Sequence, residues 1–383
     1  MNASGHPDRP RVALYIHRLQ NEAPTGVHRY SIELAEALAA ASSEFDIELC
    51  SGRMRLPSDL NLQSPLTHPK APRRPLHLAW ALVARPRVER FIGRLDLFHP
   101  LLPVAPIPSA APQVITIHDL LAIHHPEWYP GIQGLAVRRA IHFHAAKAAA
   151  IIVPSQTVAR DVETTLGVDP ERIHVVFEGA SGIFKAPFTD AAAKSARQRY
   201  GVGESSYVIA VGSISARKNL ELLFAALASI RERGGTPPVL VVAGGDGDSA
   251  ADIRAAPSRY GVDDVVRFTG WLPSEDLRCL LGGAAALVHP SWYEGFGLTP
   301  LEAMAADIPV VASTAGAVPE VVGEAGVLAD PSDAVAWADA IEQITQDGAL
   351  REKVVAAGRV RAASLTWEAA ASGTLAVYRT VLR

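Results

Sequence analysis

Cysteine is nearly absent from this chain: 383 residues hold only Cys50 and Cys279, far apart. Two such residues build no disulfide framework and no zinc-ligand spacing, and a reducing cytosol suits them. An excess of one charge is missing as well. With 36 Lys and Arg against 40 Asp and Glu, the net charge of −4 argues against a nucleic-acid partner. Nor is there an uninterrupted apolar run of membrane-spanning length. The most apolar loop-like stretch, residues 95–117, contains Asp96, His99 and five prolines, which exclude a membrane helix. The opening MNASGHPDRPRVALYI is polar and has no apolar core before a cleavage site. The expectation is a cytoplasmic protein, attached at most to the inner face of the membrane.

What is present is apolar content, 49%, enough to bury a core in each of two or three domains. All histidines but His289 lie in the first half, and the excess of acid lies in the second. Two units with different tasks follow. Arg11–His17 reads as a buried parallel strand, followed by the loop NEAPTG and an alanine-rich helix over Val27–Ala41. Strand, glycine loop, helix is the opening of a doubly wound α/β unit. Ile47–Cys50, Leu95–Phe98 and Val114–Ile117 read as further strands, with Ile151–Val153 closing that sheet. The pattern restarts at Tyr207–Val211, followed by a helix over Leu220–Glu232. Val239–Ala243, Val265–Thr269, Ala286–Val288 and Val310–Ala312 continue as strands. The expected fold is α/β, with two Rossmann-like domains, residues 1–190 and 191–365, facing each other across a cleft.

Four segments of the second half each follow an expected strand, so they meet at one edge of one sheet. They are Gly212–Asn219 (GSISARKN), Gly244–Gly247 (GGDG), Gly270–Leu272 (GWL) and His289–Glu302. Ligands of open parallel sheets bind at that edge. Arg217 and Lys218 lie between strand and helix, where backbone N–H groups and the helix dipole favour an anion. Adjacent cations there suit a diphosphate, arginine as a planar fork and lysine as a point charge. A solvated basic pair is the plain alternative. Asn219 is the expected cap of the next helix. GGDG completes neither a P-loop nor a dinucleotide fingerprint, which removes the ATPase and NAD readings.

In SWYEGFGLTPLEAM, residues 291–304, Thr299 is expected to cap a helix, with Pro300 first in it and Glu302 reaching back. Gly295 and Gly297 would let backbone N–H groups approach a ligand closely. Glu294 and Glu302 either accept from sugar and ribose hydroxyls or serve as a solvated residue and a cap, and the residues alone leave both open. In the first half, Thr25–Tyr30 (TGVHRY) opens a helix where a phosphate or sugar could sit, and His118-Asp119 ends a strand. For His118 a structural and a functional role fit equally. His124, His125, His142 and His144 lack a carboxylate at ligand spacing, so no metal site is expected. Residues 70–94 carry seven basic residues and one acid, Glu89, interleaved with Leu, Trp, Val, Phe and Ile. Such a stretch suits a membrane surface, or a surface helix with snorkelling arginines. Pro72, Pro75 and Pro86 argue against one packed helix and favour the membrane.

With these motifs in place, the second half resembles the GT4-type retaining glycosyltransferases of the GT-B fold. The resemblance runs from Val211 to Val322 through VGSISARKNLELLFAAL, VVAGGDG, RFTGWLPSEDLRCLLGGAAALVHPSWYEGFGLTPLEAMAADIPVV and GAVPEVV, with Glu294 and Glu302 as the E-x7-E pair. The first half is similar more loosely, through TGVHRY, ITIHDL and IIVPSQTVARDV, as in enzymes building bacterial surface polysaccharides. The resemblance implies that Arg217 and Lys218 bind the donor diphosphate in a site that includes Gly212. It places Glu302 on the ribose, Glu294 on the transferred sugar, and the backbone of Phe296, Gly297, Leu298 and Thr299 along sugar and phosphate. Trp271 and Leu272 would hold the base, Gly26 would approach the phosphate, and His118 would lie near the donor sugar. A last helix over residues 366–383 would cross back to the first domain. Many relatives have two glycines where this chain has only Gly26.

The implied reaction moves a hexosyl group, mannose from GDP-mannose first, to a saccharide acceptor carried on a lipid, with no cofactor and no metal. Arg217 and Lys218 would stabilise the departing diphosphate. A sugar-nucleotide epimerase of the same fold and a non-catalytic nucleotide-sugar-binding protein are the alternatives. The basic apolar stretch speaks against the first, and the intact Arg217, Lys218, Glu294 and Glu302 against the second.

Overall fold

The structure is a computed structural model and describes residues 9–16, 26–51, 66–67, 73–187 and 189–383. The chain forms two compact units, Met1–Glu178 with Trp367–Arg383, and Gly179–Thr366.

The first unit contains β1 (Arg11–Ile16), β2 (Asp46–Ser51), β3 (Leu66–Thr67), β4 (Leu97–Pro100), β5 (Val114–Thr116), β6 (Ala150–Val153) and β7 (Ile173–Val175). They pair in parallel in the orders β3-β2-β1-β4 and β5-β6-β7. A bridge between Phe98 and Gln113 joins the two sets. Val12–Tyr15 and Ile151–Val153 are buried along their whole length, as the inner strands of a parallel sheet covered on both faces are. The sheet therefore does not close at Ile151–Val153 as expected. β7 lies beyond it at the edge, and its Ile-His-Val is only half-buried, which is why it gave no apolar run. The helix Gly26–Ala41 follows β1, and the C-terminal helix Trp367–Val381 packs against it.

Residues 73–94 form two helices, Arg73–Val83 and Glu89–Ile92; residues 70–72 lie outside the described residues. The first helix buries Trp80, whose ring stands edge-on to Tyr15 at 6.0 Å and whose Nε1 donates to the Pro86 carbonyl at 2.7 Å. Leu78, Leu82 and Val83 of that helix remain exposed. No helix among the described residues is long and apolar enough to cross a membrane.

The second unit is one parallel sheet of β8 (Tyr207–Val211), β9 (Val239–Ala243), β10 (Val266–Gly270), β11 (Ala286–His289), β12 (Val310–Ser313) and β13 (Val327–Ala329). The order is β10-β9-β8-β11-β12-β13. Its core sets Val208, Leu240 and Val288 against Leu223, Phe224 and Ile230 of the helix Leu220–Glu232 and Trp337 of the helix Ala334–Gln346. Each large apolar side chain so buried contributes about 1.5–3 kcal/mol. The strand order runs one way from β8 to β10 and the other way from β11 to β13. The reversal opens a crevice beyond the carboxyl ends of β8 and β11, where α/β sheets bind ligands.

Candidate functional site

Two loops meet at that crevice. After β8 the chain turns at Gly212 and runs into a short 3₁₀ helix, Ala216–Lys218. After β11 comes His289, then Pro290 through Phe296. Gly212 has φ of +144°, and a Cβ there would stand 2.8 Å from Lys218 Cε. Glycine thus lets the lysine fold back over its own loop. Asn219 occupies the cap position of the next helix but does not cap it. Its left-handed backbone aims Nδ2 at the carbonyls of Pro290, 3.1 Å, and Pro331, 2.8 Å, which ties the loops together.

Glu294 is the centre of the cluster. Arg217 Nη1 lies 2.7 Å from its Oε2, and Lys218 Nζ lies 2.7 Å from its Oε1. Arg217 also donates to the Tyr293 carbonyl at 2.9 Å. His289 Nε2 is 3.3 Å from Glu294 Oε1; the carboxylate can only accept, so Nε2 carries the proton. Gly316, φ +61°, packs on the other side, where a Cβ would come within 2.7 Å of the Glu294 carbonyl oxygen. Ala317 N–H then donates to that carbonyl at 2.9 Å. The GAVPEVV segment is therefore a backstop for the glutamate.

Burial alone would raise the Glu294 carboxyl, but the charges of Arg217 and Lys218, with His289, hold it well below the usual carboxylate range. Burial lowers the Lys218 ammonium from its ordinary value, against the pull of Glu294. Burial likewise lowers His289, which stays neutral at pH 7. Two cations against one carboxylate leave these three half-buried side chains with one net positive charge.

The helix after this loop starts earlier than the Thr299-Pro300 pair suggests. Gly297, at φ 121° and ψ 48°, is the cap residue, and the helix is Leu298–Ala305. Thr299 lies inside the first turn, so the expected capping box does not form. Pro300 stands at the third helical position, where its missing N–H is still one of the unpaired ones. Glu302, 3% exposed, is a buried residue of this helix and not a surface cap. Phe296 and Leu301 are buried around it, and Leu298 and Thr299 are half-buried.

Beyond β10, two strands from β8, Trp271 is 39% exposed and Leu272 is buried. The loops between them are stitched by Gly212 N–H to the Ala243 carbonyl and Gly244 N–H to the Gly270 carbonyl, both 2.9 Å. Gly212, Arg217, Lys218 and Glu294 are thus in one cluster, with Phe296–Thr299 and Glu302 continuing from it and Trp271 further along the same edge.

Gly26 and His118 belong to the first unit. Gly26 is the exposed first residue of its helix; the rest of its loop, residues 21–25, lies outside the described residues. His118 is nearly buried after β5. Its Nδ1 faces Glu178 Oε1 at 3.3 Å, its Nε2 faces the Leu101 carbonyl at 3.1 Å, and Tyr30 stands edge-on to the ring at 4.4 Å. Tyr30 bonds Thr116 Oγ1 at 3.1 Å, Thr116 meets His99 Nε2 at 2.9 Å, and His99 Nδ1 meets Tyr378 of the C-terminal helix at 2.6 Å. Burial holds His99 at about 3 and keeps it neutral.

Sequence reasoning passed over His289 and Glu178. His289 ends a strand at the switch point, a signal that could have singled it out. Glu178 sits in VVFEGA with no pattern to mark it.

Residues 193–361 match the model of a family described as glycosyl transferases group 1, and residues 24–180 match glycosyltransferase family 4. A D-inositol 3-phosphate glycosyltransferase of Salinispora arenicola is 30% identical over 92% of this chain and 86% of its own length. The O-antigen chain mannosyltransferase B of Escherichia coli is 27% identical over 93% of this chain and 96% of its own. Among solved structures, Anabaena HepE in complex with UDP and glucose aligns with a TM-score of 0.78 at 20% identity, over 97% of this chain and 100% of that one. That likeness speaks to the fold, and the fold is GT-B.

Proposed function

The chain belongs to the family 4 glycosyltransferases, and from that premise we propose that it transfers a hexosyl group from a nucleotide sugar to a saccharide acceptor with retention. The observation that carries the proposal is the half-buried Glu294 carboxylate held by both Arg217 and Lys218 at 2.7 Å. A diphosphate arriving there takes the two cations from Glu294 as its own partners. The freed carboxylate then accepts from hydroxyls of the transferred sugar, while Glu302 serves the ribose and Trp271 and Leu272 the base. The backbone of Phe296, Gly297, Leu298 and Thr299 lines sugar and phosphate, and Gly26 and His118 serve the donor from the first unit.

In the reaction the bond from sugar C1 to phosphate oxygen breaks, and the diphosphate leaves with the electron pair. The acceptor hydroxyl attacks C1 from the same face and gives its proton to the departing phosphate oxygen. Arg217 and Lys218 stabilise the charge growing on the diphosphate, worth a few kcal/mol for each fixed charge in a dry site. Trapping a sugar covalently on a side chain of this protein would remove the front-face mechanism.

Mannose from GDP-mannose is the first donor proposed, supported by the mannosyltransferase among the relatives. The acceptor proposed is a lipid-linked saccharide of a surface polysaccharide. Support comes from the first unit, where exposed Leu78, Leu82 and Val83 are joined by Ile132 and Leu135 of the neighbouring helix Gly131–Lys147. Exposed Arg85, Arg87, Arg90 and Arg94 continue the same stretch, a composition suited to an anionic bilayer surface. Flotation with vesicles containing phosphatidylglycerol should carry the protein upward, and Leu78→Glu with Leu82→Glu should abolish it; equal flotation of both sinks the membrane assignment. Incubation with GDP-, UDP- and dTDP-sugars tests the reaction. Slow release of nucleoside diphosphate from one of them is expected. Interconversion of sugars would make the protein an epimerase, and no binding would end both readings.

A further inference from the structure

The six tryptophans of the chain are used unequally. Trp80 and Trp337 are fully buried, Trp367 is nearly so, and Trp128 stacks on His125 at 4.1 Å. Trp271 and Trp292 are left open, 39% and 44% exposed. Both stand on the strand-end loops of the second unit, and neither indole has a ring contact or hydrogen bond among the described residues. A large aromatic left in water forgoes burial worth several times the thermal energy, and its N–H is an unused donor. Chance does not readily place two of them on one edge.

The sheet order separates their tasks. β10 and β11 lie on opposite sides of β8, so Trp271 and Trp292 flank the Arg217–Lys218 pair from two directions. A donor with its diphosphate at the pair and its base toward Trp271 extends its sugar toward β11. Trp292 is fixed on that side, because its backbone N–H donates to the Arg217 carbonyl at 3.0 Å and Arg217 in turn holds Tyr293. The donor sugar already has a polar partner in Glu294. What Trp292 adds is a flat apolar face and one N–H, suited to the C–H face of a pyranose that must come and go.

We propose that Trp292 is the platform on which the acceptor's pyranose ring stacks, an inference that rests on the transferase reading. The positive edge of the sugar's C–H groups meets the negative face of the indole, and hydroxyls at the ring margin can reach Nε1.

Saturation-transfer NMR on the full chain, with saturating GDP and a panel of methyl pyranosides as probes, tests this without turnover. At least one pyranoside should receive saturation at its ring C–H protons. Trp292→Ala should weaken its binding about tenfold, the order of one aromatic contact, and Trp292→Phe should restore most of it. The indole is exposed, so both variants should keep the wild-type Tm. Equal binding by Trp292→Ala, or no pyranoside bound by the wild type, overturns the platform. With turnover established, Trp292→Ala should raise the acceptor KM and leave the donor KM; a raised donor KM places the indole on the donor and also overturns it. Trp292-dependent binding in a chain that turns over no nucleotide sugar keeps the platform and removes the transfer reaction.

Discussion

At the switch point of the second unit Arg217, Lys218 and Glu294 lie as ions in contact, while at the strand ends of the first His99, Thr116, Tyr30 and Tyr378 are neutral groups that hold one another. Both edges are parallel-sheet termini with similar supplies of backbone. The neutral chain has each member partnered, which fixes one arrangement and docks the C-terminal helix. The ionic cluster has a surplus cation and a carboxylate that could exchange partners. In the proposed function one edge stays as it is and the other rearranges.

Removing a cation tests that contrast most severely. Lys218→Ala should lower kcat/KM for the nucleotide sugar by about a hundred- to a thousandfold, with the far-ultraviolet circular dichroism unchanged. Activity within tenfold of wild type would mean the charged edge is not the site. Glu294→Gln sharpens the comparison further, since the two ligands should part company. Turnover should fall by roughly a hundredfold, while free nucleoside diphosphate, relieved of a competing carboxylate, should bind more tightly by calorimetric titration. Loss of both would contradict partner exchange.

Acid should separate the units. His99 is held at about 3 and His144 at about 4, each against an ordinary 6.5. Between those values the unfolded chain binds protons that the folded unit does not, so this stability is full above pH 6.5 and erodes below it. By pH 5 the loss is about 2 kcal/mol for each such histidine. In the second unit His289 shares the direction, but Glu294 opposes its shift. Glu294 itself adds stability that is present above the unfolded carboxylate value, about 4.3, and lost only as pH falls through its lower folded value. Hydrogen exchange from pH 7 to 5 should therefore rise first in the first unit. The smallest effect is expected for Tyr378→Phe, which leaves His99 Nδ1 unpaired at a cost of about 1–3 kcal/mol. Its Tm should drop and its donor KM should not move.

Much of the second unit was legible because its strands are unbroken apolar runs with glycine turns behind them, and Leu220–Glu232 reads as a helix at both ends. β7 and β13 were not, being three residues long and buried only in part. The convergence of Gly212, Arg217, Lys218 and Glu294 followed from strand order alone. The contacts within it did not. Nothing in Thr299-Pro300-Leu301-Glu302 reveals that Gly297, with its positive φ, starts the helix first. Nor does the sequence say that Gly316 backs Glu294, a contact between loops of different strands.

The salt bridge at Glu294 has a kinetic consequence. A pair of bare cations would hold a spent diphosphate tenaciously, and release would limit each cycle. In the proposed reaction the carboxylate beside them would reclaim both as the product departs, and expulsion would be an ion swap. Glu294→Gln should then release bound nucleoside diphosphate more slowly than the wild type when chased with excess unlabelled nucleotide, the mark of an enzyme that has lost its returning counter-ion.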